Sequence, residues 1–501
     1  MTRTPADEAR TWELGGLFLL GSGLSLALLS SSTSSPPSVA ALAKTMLFGG
    51  AALEALGASR RGLRPGLAAS PFAIVTLAVV MAATAWSPPE GRPTILWWSA
   101  VLVAGCSWRR LAENPRWRRQ LAELLLALGL LVALHGIWES AYLLDAVRRS
   151  AGPLLDGLPE DSALRPFLGS SRARSSLGEA NAYAGLLLVF LPLCLSAAWR
   201  KPGGITLGSL AVLLTGLLVS GSRAGCLVAV VVLGALLWKR TRFRRLGIAL
   251  LATASIALVV ALAVGFGLID FEAFRAQSLR DRRDFATRAL RLIASSPWLG
   301  YGVEGYGPAA AGLESAGTWS RHPHLLWLNL ATSIGLPLTI LVSVLGLSGF
   351  WRHACVTDAP PAQDDSSSWP LALAAGLTGI LLTASSPAIY FAATVSARWH
   401  GALASLVAGL LLFLLLRRIS PRILVAAGLD WPRAFLWGLG ALIAHASVDM
   451  HLEIPGLVVA AAAAAALGTP RELPQPGWSK RRALAITAFL TLLATLPLLA
   501  R

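Results

Sequence analysis

Two histidines stand together in a segment suited to proton transfer. Residues 321–338 read RHPHLLWLNLATSIGLPL, so that His322 and His324 lie where a polar stretch enters an apolar one. A histidine at such a junction stays partly hydrated and titrates near neutral pH, which suits a general base. The same position also fits a histidine that caps or packs the end of a helix, and the local sequence leaves both interpretations open.

Arginines are concentrated in two long polar stretches of the chain. They are Arg172, Arg174, Arg275, Arg280, Arg282, Arg283, Arg288 and Arg321, and Arg223 stands at the start of an apolar run. A guanidinium group pairs bidentately with phosphate, so this set predicts a site for an anion. The alternative is that long loops tolerate charge without using it.

A Gly-rich turn separates the later arginines from the histidines. Residues 278–307 read SLRDRRDFATRALRLIASSPWLGYGVEGYG, which predicts arginines preceding a short amphipathic helix and then the turn. Gly300 to Gly305 have the GxGxxG spacing of dinucleotide sites. No βαβ unit surrounds them, so a dinucleotide site is not expected here.

The elements that must position these residues are membrane spans. The 501 residues are 55% hydrophobic and 14% charged, which is too apolar for a water-soluble globule. Apolar stretches of about 17–25 residues recur, and in hydrocarbon they must close their own hydrogen bonds as helices. The predicted fold is therefore an all-α, polytopic transmembrane helical bundle of about 12–15 spans, with two longer outer loops containing short helices. The candidate spans are 14–31, 39–57, 70–86, 94–107, 120–143, 179–198, 205–220, 223–238, 246–268, 324–349, 370–387, 399–416, 432–448, 456–468 and 482–500.

The basic residues predict the topology of this bundle. The formal net charge of +17 comes from short clusters between spans, which is unlike a nucleic-acid-binding face. Alternate connections are basic, and cytoplasmic connections carry the Lys and Arg excess. These clusters are Arg60, Arg61 and Arg64; Arg109, Arg110, Arg116, Arg118 and Arg119; Arg200 and Lys201; Lys239, Arg240, Arg242, Arg244 and Arg245; Arg417, Arg418 and Arg422; and Lys480, Arg481 and Arg482. The N-terminus is then inside, and loops 144–178 and 269–323 are outside.

The remaining features indicate one membrane domain. Four isolated cysteines, without a CxxC pair or a nearby histidine at ligand spacing, predict neither a disulfide framework nor a metal site. The first apolar run, from about Leu14, is predicted to be a span and not a removed signal peptide. We divide the chain into N-terminal transmembrane helices (1–143), a core with both outer loops (144–456) and C-terminal transmembrane helices (457–501).

Four segments of the chain contain recognisable patterns in a fixed order. RSSLGEANAYAGLLLVFLPL (174–193) enters a span and contains Asn181, and SGSRAG (220–225) places Arg223 at an outer helix start. Arg282 is followed by Pro297, Gly300 and Gly302, and then by His324 and by Gly335 eleven residues further on. HASVDMHLEIPG (445–456) contains His445 and Asp449. In this order the four segments resemble the O-antigen ligase and polymerase superfamily of membrane glycosyltransferases.

Departures from the family leave two assignments open. The family commonly has Asn after the histidine and an acidic residue two before the glycine, where this chain has Leu325 and Ser333. Phe285 lies one place out of register, so that Arg282 and Arg283 are alternatives for the loop arginine. The spacing to Gly335 favours His324 over His322.

The resemblance implies a metal-independent, inverting glycosyltransferase without a cofactor, multi-pass in the bacterial inner membrane, with its active site facing the periplasm. The donor would be a glycan on undecaprenyl pyrophosphate, and the acceptor a hydroxyl of lipid A core, another glycan or a protein. Arg223 and Arg282 would stabilise the leaving pyrophosphate and His324 would be the general base. The implied substrate-binding residues are Arg174, Asn181, Arg283, Arg321, His322, His445 and Asp449.

Two further functions remain as alternatives. One is a polysaccharide polymerase or protein O-oligosaccharyltransferase of the same superfamily, since acceptor choice lies in loop shape. The other is a transporter or flippase for a lipid-linked anion, which would explain the arginines without chemistry. Against transport, the sequence has no evident inverted repeat, and we expect no charged residue deep within a span.

Overall fold

A computed structural model describes the helices that surround these segments. It describes residues 5–29, 37–61, 87–145, 149, 157, 172–238, 241–265, 277–313, 320–355, 395–428, 431–448 and 454–468. Within these ranges the regular elements are all helical, which confirms the predicted all-α class. Asp449 and the predicted spans 70–86, 370–387 and 482–500 lie outside them.

The helices follow the predicted apolar runs closely. They are α1 (Pro5–Leu29), α2 (Pro37–Arg60), α3 (Arg92–Leu111), α4 (Pro115–Trp138), α5 (Ala180–Arg200), α6 (Gly204–Val219), α7 (Arg223–Trp238), α8 (Arg244–Gly265), α9 (Gln277–Ser295), α10 (Tyr306–Ala311), α11 (Leu326–Cys355), α12 (Val395–Ala427), α13 (Trp431–Val448) and α14 (Pro455–Gly468). A π-helical turn, Glu139–Leu143, extends α4, and a 3₁₀ turn, Ser175–Leu177, precedes α5. The predicted span 223–238 coincides with α7.

Four apolar helical segments of the described chain are long enough to cross a membrane. They are Thr11–Leu28, Pro115–Leu143, Ala180–Arg200 and Leu326–Val344. Three shorter apolar helices are Gly204–Val219, Arg223–Trp238 and Leu457–Gly468.

Helix α12 extends beyond the predicted span 399–416. It continues through the basic cluster Arg417, Arg418 and Arg422 to Ala427. The helix ends there because Gly428 follows with φ +68°, a left-handed conformation that suits glycine at a helix C-terminus.

Charged residues do lie within a predicted span. Lys44 and Glu54 of α2 are both buried, contrary to the expectation that the spans carry no deep charge. Both charges are accommodated because each has a partner on α3, far away in the sequence. Lys44 Nζ lies 5.7 Å from the centre of the Trp97 ring, and Ser107 Oγ donates to Glu54 Oε2 at 3.3 Å. The absence of buried charge therefore no longer argues against transport.

Helix α5 lies at the centre of the main hydrophobic core. Its side chains are mostly buried, and it packs against α6, α7, α12 and α13. Gly438 permits α13 to approach α5 closely, because a Cβ atom at that position would lie 2.0 Å from Val189 O. Small residues allow helices in membranes to pack at such short range.

A second, smaller core joins α9 to α10. It consists of Ala289, Leu292, Tyr306 and Ala310. Helix α9 also packs against α8 and α11, which bring it to the entrance of the helix that follows the histidines.

Candidate active site

Helix α9 carries the loop arginines on an amphipathic helix. Phe285, Ala289, Leu292 and Ile293 are buried and have the i, i+4, i+7, i+8 spacing of one helical face. The helix begins at Gln277, so Arg282 and Arg283 lie inside it and not before it as predicted. Charged residues on the other face make this apolar spacing hard to recognise in the sequence. Arg283 is exposed and its Nε lies 3.5 Å from Asp284 Oδ1.

The Gly-rich turn docks onto a break in α11. Tyr301 N donates to Thr332 O at 2.7 Å, Gly302 N donates to Ser333 O at 3.0 Å, and Leu336 N donates to Pro297 O at 2.8 Å. Gly335 interrupts the helix with φ +78°, and a Cβ atom there would lie 2.2 Å from Trp298 O. The Pro-x-x-Gly-x-Gly pattern and the later glycine are thus the two sides of one backbone contact.

His324 is held against the arginine helix in a strained conformation. Its φ of +56° is left-handed, which is unusual for a residue with a side chain. Its ring centre lies 5.4 Å from that of Phe285, and a hydrogen bond of 3.2 Å joins Nε2 to Ser320 Oγ. The residue is half-buried, so its imidazole is fixed without being sealed from solvent.

His322 has different surroundings. Its Nε2 lies 3.6 Å from Glu304 Oε2, and its side chain is 12% exposed. Burial lowers the pKa of His322 to about 4, although Glu304 and a hydrogen bond with the Asn329 side chain oppose this. At neutral pH His322 is therefore uncharged and packed between two polar partners.

Arg321 is anchored by a buried carboxylate. Its Nε donates to Glu304 Oε2 at 2.9 Å, while Glu304 Oε1 accepts from Thr94 Oγ1 at 2.9 Å. Glu304 was not among the predicted site residues. One glutamate in a Gly-rich turn matches no catalytic pattern, and its partners are far apart in the sequence.

The helix start that carries Arg223 is fixed by a buried histidine. Ser222 Oγ accepts from Gly225 N at 3.1 Å and so caps α7. The same hydroxyl shares a hydrogen bond of 3.2 Å with His445 Nε2 of α13, and His445 is fully buried. The structure therefore places His445 behind Arg223, which is itself exposed.

Arg172 forms hydrogen bonds that hold the turn before Arg223. Its Nε donates to Ser220 O at 2.9 Å, and its Nη2 donates to Asn181 Oδ1. Asn181 thus connects the start of α5 to this turn through an arginine. Arg172 belonged to the predicted arginine set but was assigned no role, because its two partners come from different helices.

Arg174 lies beside a second carboxylate. Glu139 Oε2, in the π-helical turn, accepts from Arg174 N at 2.8 Å and from Ser175 N at 2.6 Å. Burial lowers the pKa of Arg174, while Glu179 and Glu139 oppose the shift. The segment 172–178 is consequently fixed to the end of α4.

Helix α13 connects two groups of residues. We call Arg172, Asn181, Ser222, Arg223 and His445 the span half, and Arg282, Glu304, Arg321, His322 and His324 the loop half. His445 binds Ser222, and two residues later Ser447 Oγ accepts from Trp327 Nε1 at 2.9 Å, three residues after His324. Both halves are thereby bound to the last turn of α13. Among the described residues no group of three His, Cys, Asp or Glu side chains is arranged to hold a metal ion.

One comparison bears on the family. The family model described as O-antigen ligase matches residues 208–343. This match supports membership in the O-antigen ligase superfamily. Searches of curated proteins and of solved structures found no match.

The matched region contains much of the candidate site. It covers Arg223 and the whole loop half, whereas Arg174, Asn181 and His445 lie outside it. The match supports a membrane protein that processes glycans and has a lipid-linked glycan and an acceptor as partners in general terms.

Proposed function

We propose that the protein is a multi-pass glycosyltransferase of the bacterial inner membrane, with about 12–15 spans. It transfers a glycan from undecaprenyl pyrophosphate to an acceptor hydroxyl at the periplasmic face. The observation that carries this proposal is the ring contact of 5.4 Å between Phe285 and His324. It holds the helix that bears Arg282 against a histidine suited to take a proton.

The proposed reaction is a direct displacement at the anomeric carbon. The acceptor oxygen forms the new glycosidic bond as the bond to the pyrophosphate oxygen breaks, and the configuration is inverted. His324 takes the acceptor's proton, typically a 10²–10⁴-fold contribution. Arg282, Arg223 and Arg174 stabilise the negative charge on the departing pyrophosphate lipid.

The surroundings of the two histidines support His324 as the base. His322 is packed against Glu304 and Asn329, and burial lowers its pKa to about 4, so that it is a weak base. His324 is half-buried beside the arginine helix. We assign His322 to substrate binding or to support of its neighbours, together with Asn181, Arg283, Arg321, His445 and Asp449.

We propose that a divalent metal ion is not required. Pyrophosphate is a good leaving group, and the arginines supply the positive charge that Mg²⁺ supplies elsewhere. The buried carboxylate of the loop half, Glu304, already accepts hydrogen bonds from Thr94 and Arg321. Transfer rates should therefore be unchanged in a chelator, and full loss with rescue by Mg²⁺ or Mn²⁺ would contradict this mechanism.

A turnover assay tests the proposal as a whole. Purified protein in lipid is given an undecaprenyl-pyrophosphate-linked glycan and, separately, a lipid A core, a glycan or a protein acceptor. Product from one acceptor identifies the ligase, polymerase or protein oligosaccharyltransferase activity. Movement of the donor across sealed vesicles, with no glycan transferred to any acceptor, would instead establish a transporter.

A further inference from the structure

Glu304 is a buried carboxylate that is bonded to two other segments of the chain. Its Oε1 accepts from Thr94 Oγ1 in the first turn of α3, and its Oε2 accepts from Arg321 Nε, both at 2.9 Å. The side chain of Glu304 is 5% exposed, whereas that of Arg321 is 55% exposed. The carboxylate therefore anchors the inner end of an arginine whose outer end is open to solvent.

The backbone at Glu304 indicates that its side chain has a use. Its φ is +63°, between glycines at 302 and 305, and glycine would adopt this conformation without steric cost. Strained conformations of residues with side chains cluster at functional sites. His324 shares this property with φ +56°.

Residues upstream of the family match complete this anchor. Val303 N donates to Ser87 Oγ at 2.9 Å, so that 87–94 is bonded to the turn at two successive residues, Val303 and Glu304. The family model begins only at residue 208. The loop half is thus supported by the N-terminal part of the chain.

We propose that Glu304 is a positioning residue that holds Arg321 for the pyrophosphate of the donor; this inference rests on the proposed function. With Nε bonded to Glu304, the plane of the guanidinium is fixed and its two Nη groups remain to bind phosphate oxygens. A fixed orientation reduces the entropy lost when that pair forms. Glu304 itself neither contacts the donor nor accepts a proton in the reaction.

Glu304→Gln tests the anchor with little change of shape. The amide can still form hydrogen bonds with the Thr94 hydroxyl and with Arg321 Nε, but it lacks the negative charge that pairs with the Arg321 guanidinium. The KM for the lipid-linked donor should rise about tenfold, while kcat changes by less than about twofold. Glu123→Gln, at an acidic residue of α4 paired with Arg119, is the matched control and should leave both constants unchanged.

Two further variants separate positioning from folding. Glu304→Gly removes the backbone strain together with the carboxylate, so the variant should fold normally and still show the raised donor KM. In an Arg321→Gln background, Glu304→Gln should add little, because the two residues act as a unit. Binding of undecaprenyl pyrophosphate, followed by tryptophan fluorescence, should weaken in parallel with the KM.

The outcomes distinguish the two proposals. If the wild-type protein transfers no glycan to any acceptor, the proposed function fails and this inference fails with it. If the wild-type protein transfers glycan and Glu304→Gly has the wild-type donor KM, the positioning role alone is overturned. Additive effects of Glu304→Gln and Arg321→Gln would overturn it as well.

Discussion

The span half and the loop half of the site are stabilised by different means. Ser222 and His445 of the span half are buried between helices of the main hydrophobic core. The loop half has a core of four buried residues between α9 and α10, and it relies on hydrogen bonds and on left-handed residues at 304 and 324. The hydrogen bonds of the span half are therefore enclosed by the main hydrophobic core, whereas those of the loop half are supported by a much smaller core.

We propose that this difference matters for the reaction. A charge that binds the donor can be carried rigidly at a helix start, as we propose for Arg223, while the loop half combines donor-binding arginines with the candidate base. A base must meet acceptors of varied shape, and segments with few apolar contacts and exposed polar bonds open at lower free energy. The loop half is thus the part that we expect to adjust during the reaction.

The largest effect should come from the candidate base. His324→Ala should slow glycan transfer by about 10²-fold or more while the donor still binds, because a proton acceptor is lost but no donor contact is. His322→Ala is the matched variant and should be much milder. Transfer rates at equal protein levels, together with donor binding, measure both. Wild-type rates in His324→Ala, or a dead His322→Ala, would reverse the assignment.

Substitutions of the arginines should weaken donor binding instead of slowing the transfer step. Arg223→Gln and Arg282→Gln each remove a charge-assisted hydrogen bond worth roughly 1.5–3 kcal/mol, so donor binding should weaken about 10–100-fold. Lysine at either position should rescue poorly, because a point charge does not replace a planar fork. Arg283→Gln, next to Arg282 but exposed beside Asp284, should be mild. If Arg282→Gln and Arg283→Gln weakened donor binding equally, the assignment of Arg282 as the loop arginine would be wrong.

The pH dependence of stability should report His322. Its pKa is about 4 when folded, compared with about 6.5 for an ordinary histidine. Between these values the unfolded chain binds a proton that the folded chain does not, so stability should fall as pH decreases from about 6.5 to about 4. Thermal denaturation of the wild type and His322→Asn should show a shallower pH dependence in the variant. Identical slopes would disprove this contribution.

The smallest effect should come from the contact between the halves. Trp327→Phe keeps the ring but removes the donor to Ser447 Oγ, at a cost of about 0.5–1.5 kcal/mol. We expect transfer to fall severalfold at most, with donor binding unchanged, because Arg223 keeps its own support. Ser222→Ala, which removes the α7 cap, should instead lower donor binding. Transfer rates and donor binding should be measured for both Trp327→Phe and Ser222→Ala.

The sequence predicted the span half better than the loop half, and the reason is physical. Apolar runs determine helices locally, so Arg223 was correctly placed at a helix start. The bond between Ser222 and His445 joins residues 223 positions apart, which no local pattern encodes. In the loop half, Arg282 was predicted outside a helix because the charged residues of α9 obscure the helical spacing of its apolar residues. Glu304 was missed because its significance depends on Thr94 and Arg321, which are far from it in the sequence.

The break at Gly335 lies inside the apolar segment Leu326–Val344 of α11. Ser333 O cannot accept a helical hydrogen bond from Pro337, which has no N–H, and Gly302 N of the Gly-rich turn supplies the donor instead. The turn therefore lets an apolar helix carry a break without leaving that backbone oxygen unpaired, which in hydrocarbon would be costly.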